Sequence, residues 1–147
     1  MISLPSLVSR ACRLNPQGIA TRFSDRTHTW TSLQGEVARL AQALQSLGLA
    51  EGDRVALLAL NSDRYYIAMF AIPWGGYAMV PLNTRWALPE IQYGISDTQA
   101  RVLLFDDHFI DLVRWLREHQ DSLSHCIYLG EGECPAWALD YRQLMEI

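Results

Sequence analysis

Hydrophobic and polar positions change period several times along the chain, and each change marks an element. Leu4, Leu7, Val8, Ala11 and Leu14 recur at helical spacing before Asn15-Pro16, which predicts a short amphipathic helix stopped by that pair. From Ile19 to Thr31 the pattern alternates around Ser24-Asp25-Arg26 and closes on Trp30, the pattern of a β-hairpin. Thr31-x-x-Gln34 fits a capping box, and Leu33, Val37, Leu40, Leu44 and Leu47 then form one apolar helical stripe that ends at Gly48.

The rest alternates short apolar runs with helical periods. Val55 to Leu60 is apolar at every position, as expected of a parallel strand covered on both faces, and Asn61-Ser62-Asp63 can cap a helix from Arg64 to Trp74. Tyr77 to Leu82 is a second buried strand with Pro81 near its end, and Pro89, Ile91 and Ile95 mark the next helix. Arg101 to Phe105 is a third strand, Phe109 to Leu116 a helix, His125 to Leu129 a fourth strand, and the tail from Ala138 a last short helix. The fold class expected is α/β: a mostly parallel sheet with flanking helices in βαβ units, preceded by a short N-terminal helix and a β-hairpin. One domain fills residues 1–147, with no repeat, low-complexity tract or linker.

Composition narrows the function. The chain is 50% hydrophobic, carries a net charge of −4, and all 12 basic residues are Arg, so no mechanism needing a lysine can operate within it. Scattered arginines in an acidic chain disfavour nucleic-acid binding. Cys12, Cys126 and Cys134 have neither disulfide nor zinc spacing, which points to a reducing cytoplasm, and the N-terminus lacks the features of a signal peptide. The stretch from Tyr65 to Thr84 has no formal charge, yet Pro73, Gly75 and Gly76 interrupt it, so a buried helix, turn and strand are expected rather than a membrane span.

Several groups invite chemistry. Asp106 and Asp107 follow a strand, where an acidic pair could hold Mg²⁺, although a helix cap is the commoner use of such a pair. His108, His119 and His125 match no metal motif. Gly75-Gly76 and Gly130-x-Gly132 could approach a phosphate, but neither forms a dinucleotide or P-loop motif, and turns are the expected use. Trp30, Trp74, Trp86, Trp115 and Trp137 could line an apolar groove, but their first use is as core and interface area. On this reading no catalytic, cofactor-binding or metal-ligating residue is assigned.

The order of these elements resembles the N-terminal part of an AMP-forming acyl-CoA synthetase, a fatty-acid–CoA ligase of the adenylate-forming superfamily. The resemblance runs over Leu14-Asn15-Pro16, Trp30-Thr31-Ser32-Leu33, Leu47-Gly48-Leu49, Gly52-Asp53-Arg54-Val55-Ala56 and Leu60-Asn61-Ser62. It continues through Gly75-Gly76-Tyr77-Ala78, Val80-Pro81-Leu82-Asn83-Thr84-Arg85, Pro89 to Tyr93 and Phe109 to Val113, nearly the whole chain. Ala59-Leu60, Trp74, Gly76 and Leu88 depart from the family's usual residues. The Ser/Thr/Gly-rich phosphate loop, the Tyr-x-x-Thr-Glu motif, the ribose-binding Asp and the catalytic Lys match no position here.

The resemblance implies ATP, Mg²⁺ and CoA as cofactors of a full-length enzyme and none for this chain, an N-terminal subdomain inactive alone. The other readings are a free-standing module that dimerises or binds a partner through an exposed apolar face, and a small flavodoxin-like nucleotide binder. The second lacks the Gly/Ser/Thr-rich loops that nucleotide binding at strand ends requires.

Overall fold

The chain packs helices on both faces of one parallel sheet; the structure, a computed structural model, describes residues 2–146. Helix α1 (Leu4–Leu14) leads into strands β1 (Ile19–Phe23) and β2 (Arg26–Thr29), an antiparallel hairpin in which Phe23 pairs Arg26 across a two-residue turn. Ser24 takes the left-handed conformation there, at φ 54°. Helix α2 (Trp30–Ser46) begins two residues earlier than the capping pattern predicts. The cap is Thr29, whose hydroxyl accepts the Ser32 N–H at 3.1 Å, while Thr31 turns its hydroxyl to the Pro16 carbonyl. Trp30 is therefore the first helical residue rather than the end of the hairpin. Gly48, at φ 84°, supplies the expected left-handed exit.

Strand β3 (Arg54–Leu58), helix α3 (Asp63–Trp74), strand β4 (Ala78–Pro81), helix α4 (Leu88–Thr98) and strand β5 (Val102–Phe105) follow. After these come a single 3₁₀ turn (Asp107–Phe109), helix α5 (Ile110–His119) and strand β6 (His125–Tyr128). The end of the chain adds what the sequence did not reveal, a strand β7 (Leu139–Asp140) before helix α6 (Tyr141–Leu144). The sheet order is β4-β3-β5-β6-β7, parallel throughout. The stretch from Tyr65 to Thr84 is α3, a turn and β4, and among the described residues no helix is long and apolar enough to cross a membrane.

Each central strand is buried on both faces. Val55, Leu57, Val102, Leu104 and Ile127 pack toward α2 and α3, with Val8 of α1 and Tyr141 of α6 in the same cluster. Ala56, Leu58, Leu103, Phe105 and Tyr128 pack toward α4 and α5 through Ile91, Ile95, Val113 and Leu116. This double burial explains why the strands read as continuous apolar runs. Strand β3 is followed by α3 on one face and a step outward to β4; the chain then recrosses β3 with α4 on the other face. Opposite steps with helices on opposite faces are what right-handed crossovers require. The strand order therefore reverses between β3 and β5, and a crevice opens beyond their carboxyl ends.

Candidate functional site

That crevice has a volume of about 240 Å³. Phe23 from the hairpin, Leu60, Asn61 and Ser62 after β3, Asp106 and Asp107 after β5, and Gly130 and Glu131 after β6 contribute to its walls. A second cavity of about 290 Å³ adjoins it, sharing Leu60 and Asn61 and bounded by Leu82, Asn83 and Thr84 after β4. The carboxyl edge of the sheet is thus a continuous concave surface, the position at which open α/β sheets bind ligands.

The two aspartates are held by the protein itself. Asp106 accepts the Leu60 N–H at 2.7 Å on one oxygen and the His108 N–H at 3.0 Å on the other, so it ties β3 to β5 and caps the 3₁₀ turn. Asp107 accepts the Tyr128 hydroxyl and the Glu131 N–H. Burial raises its pKa, but the Tyr128 hydroxyl and the N–H groups of Glu131 and Gly132 outweigh this and leave the carboxyl below its ordinary range. Asp106 thus serves as a cap, and Asp107 ties the end of β5 to β6 and the loop after it. Gly130 is required at this contact, because a Cβ would overlap the Asp107 carboxylate and the Tyr128 ring.

The histidines do not converge. His108 lies at the carboxyl edge, His125 opens β6 at the opposite edge beside Ser124, and His119 at the end of α5 stacks on Trp115 at 4.0 Å. Among the described residues no group of three or more His, Cys, Asp or Glu could hold a metal ion. Gly75-Gly76 lines a separate groove of about 700 Å³ between the ends of α2 and α3, away from the crevice. The tryptophans are dispersed, with Trp137 stacked on Phe105 at 5.3 Å and Trp86 exposed.

A charged network beneath the crevice has no signature in the sequence. Arg26 of the hairpin donates two bonds to Asp63, Nε to Oδ2 at 2.8 Å and Nη2 to Oδ1 at 2.6 Å. It also reaches the Glu131 carboxylate at 2.6 Å. His28 Nε2 lies 3.3 Å from Asp63. Burial raises the pKa of Asp63, whose side chain is only 1% exposed; Arg26, His28 and the Arg64 N–H overcome this and hold its carboxyl below the ordinary range. Arg64, also buried, donates to the Leu129 and Gly130 carbonyls at 2.9 and 2.8 Å and lies over the Tyr141 ring. The network joins hairpin, α3, the loop after β6 and α6 into one wall. Arg26 is thus paired with two carboxylates, and Arg64 is held by two carbonyls with the Glu131 carboxylate 3.6 Å away.

A parallel, doubly covered sheet with a concave carboxyl edge at its order reversal defines an open, doubly wound α/β protein. The chain belongs to the AMP-binding enzyme family, whose model matches residues 8–143. It is similar to a feruloyl-CoA synthase from an Amycolatopsis species, 38% identical over 95 residues, 65% of this chain and 19% of that protein. It is also similar to the long-chain-fatty-acid–CoA ligase of Thermus thermophilus, 32% identical over 117 residues, 80% of this chain and 21% of that protein. Among solved structures, the anthranilate CoA ligase AuaEII in complex with anthranoyl-AMP superposes with a TM-score of 0.91 at 27% identity. That match covers 99% of this chain and 28% of the ligase. The chain spans about a fifth of the length of these two curated relatives. These three proteins are CoA ligases or synthases, of each of which the chain covers less than a third.

Proposed function

We propose that the chain is the N-terminal subdomain, residues 1–147, of a long- or medium-chain fatty-acid–CoA ligase, which forms an acyl-adenylate from ATP and a carboxylate and then a thioester with CoA. The carboxyl edge of its sheet is a wall against which the remaining three quarters or more of such an enzyme closes the acyl and nucleotide sites. The observation that carries this reading is the state of the charged groups at that edge. Asp106, Asp107, Arg26 and Arg64 are all engaged within the subdomain, and the sequence contains no lysine. Adenylation needs cationic and N–H donors around the phosphates, which must come from the rest of the enzyme. ATP, Mg²⁺ and CoA are accordingly cofactors of the complete ligase, and the chain alone is inactive. The fatty-acid assignment draws on the Thermus thermophilus relative, named for long-chain fatty acids. A cytoplasmic location is in keeping with three free cysteines.

Two assays test this. The purified chain with ATP, Mg²⁺, CoA and palmitate should release no pyrophosphate above background, and carboxylate-dependent release would refute the inactive subdomain. A chimera carrying this chain in place of the matching segment of the Thermus thermophilus ligase should activate palmitate in preference to ferulate; the reverse preference would remove the fatty-acid assignment.

A second reading rests on Phe23, Leu60 and Trp86, at 36%, 42% and 40% exposure. Phe23 and Leu60 line the crevice, and Trp86 follows β4 at the same edge. Two copies could bury this surface against each other across a two-fold axis. A monomer mass by light scattering at high concentration would exclude that reading.

A further inference from the structure

The groove of about 700 Å³ between the ends of α2 and α3 lies at the amino-terminal edge of the sheet, opposite the crevice. Ala41, Gln42 and Gln45 recur at helical spacing along its α2 wall, and Trp74, the last residue of α3, stands across from them. Glu51, in the turn before β3, completes it. That turn is pinned: the Gly52 N–H donates to the Gly76 carbonyl at 2.8 Å, and Glu51 Cγ lies 3.6 Å from the place a Cβ on Gly76 would take.

The electrostatics of the groove have one sign. Its wall includes the Glu51 carboxylate and no Arg, Lys or His. Arg54 and Arg101 face Asp53, at 3.5 and 3.8 Å, so Glu51 has no ion-pair partner among the described residues. Helices α2 and α3 both end here, and the carboxyl end of a helix carries the negative end of its dipole. Trp74 and Tyr77 bring two aromatic rings, whose faces attract cations. Tyr77 is 7% exposed, yet its hydroxyl makes no hydrogen bond to any described residue. A ligand N–H donated to that oxygen would supply the missing partner.

We propose that this groove binds a small organic monocation, a protonated amine on an aromatic or apolar body, with the ammonium beside Glu51 and the helix ends and the body against Trp74 and Tyr77. Charge selects the occupant. An anion would meet a carboxylate and two negative helix ends, and a neutral ligand would leave Glu51 unpaired. A metal ion lacks its ligands, since among the described residues no group of three or more His, Cys, Asp or Glu could hold one. The proposal does not rest on the ligase reading: the groove shares no residue with the crevice or the cavity beside it, and amine binding and adenylation are read by separate assays.

The test is calorimetric titration of the purified chain with phenethylammonium chloride, beside its neutral isostere phenethyl alcohol. The ammonium should bind saturably, with a Kd below about 1 mM, and the alcohol about tenfold more weakly. Added salt should weaken the ammonium alone. In amide NMR spectra the ammonium should shift Gln42, Gln45, Gly75 and Gly76. Glu51→Gln should weaken it about fivefold, Trp74→Leu about tenfold and Tyr77→Phe about threefold. Glu51 is exposed and Tyr77→Phe keeps the ring, so these two variants should keep the parent melting temperature; if Trp74→Leu unfolds, they and the neutral isostere decide. Four outcomes would overturn the proposal: no saturable binding of the ammonium, equal binding of the alcohol, amide shifts confined to residues outside the groove, or an affinity that none of the folded variants changes.

Discussion

Asp63 shows how one buried side chain can join several segments. Its carboxylate meets Arg26, His28 and its neighbour's N–H inside the fold. Removing it strands a guanidinium whose partner was buried, so Asp63→Ala should lower stability by about 3 kcal/mol in urea unfolding. The same contacts set a pH dependence. Asp63, Asp107 and Asp140 all have folded pKa values below the ordinary carboxylate value; for Asp140 the Arg142 guanidinium is the main cause. Groups depressed on folding stabilise the native state above their unfolded pKa and lose that contribution as the pH falls through the folded values. Urea midpoints should therefore hold steady above about pH 5 and fall steeply below about pH 4. Asp63→Asn should flatten part of that decline. Cys126 is a third case: burial pushes its thiol up to about 11, so iodoacetamide at pH 7.5 should leave it unlabelled until the protein unfolds.

Among the elements, α2 tests cap assignment directly. Thr29→Ala removes the hydroxyl that accepts the Ser32 N–H and should cost about 1 kcal/mol. Gln34→Ala, at the position a Thr31 box would need, should change stability by less than about 0.5 kcal/mol. Thermal melts of the two variants distinguish the alternatives. The Thr31 expectation went astray because Thr29-x-Thr31 places two equivalent hydroxyls side by side, and only the chain's path past Pro16 separates them. Strands β3, β5 and β6 were legible because burial on both faces leaves an unbroken apolar run. Strand β7 was not, since Leu139–Asp140 is too short for any period and pairs only through its neighbour's register. The crevice was partly legible. Asp106-Asp107 stood out after a strand, but its choice of N–H partners depends on Leu60 and Glu131, which are distant in sequence. Nothing in the sequence signalled the contact of Arg26 with Asp63, since a salt bridge across 37 positions has no period.

Across the whole molecule, the C-terminal segment completes contacts begun near the N-terminus. Glu131 meets Arg26, Tyr141 meets Glu36 and lies beneath Arg64, and Arg142 holds the carbonyls of Glu131 and Gly132. A chain ending at residue 130 should therefore lose about 3 kcal/mol or more, with the loss spread over the sheet rather than confined to its edge. The urea transition followed by circular dichroism checks this. These long-range bonds also impose a schedule on synthesis. Arg64 is made 66 positions before Gly130, whose carbonyl it needs, an interval of roughly 3–13 s at the pace of a ribosome. During that interval the nascent hairpin and α3 carry a cation destined for burial and no acceptor for it, so the N-terminal half waits unsealed on the ribosome until its last strands emerge.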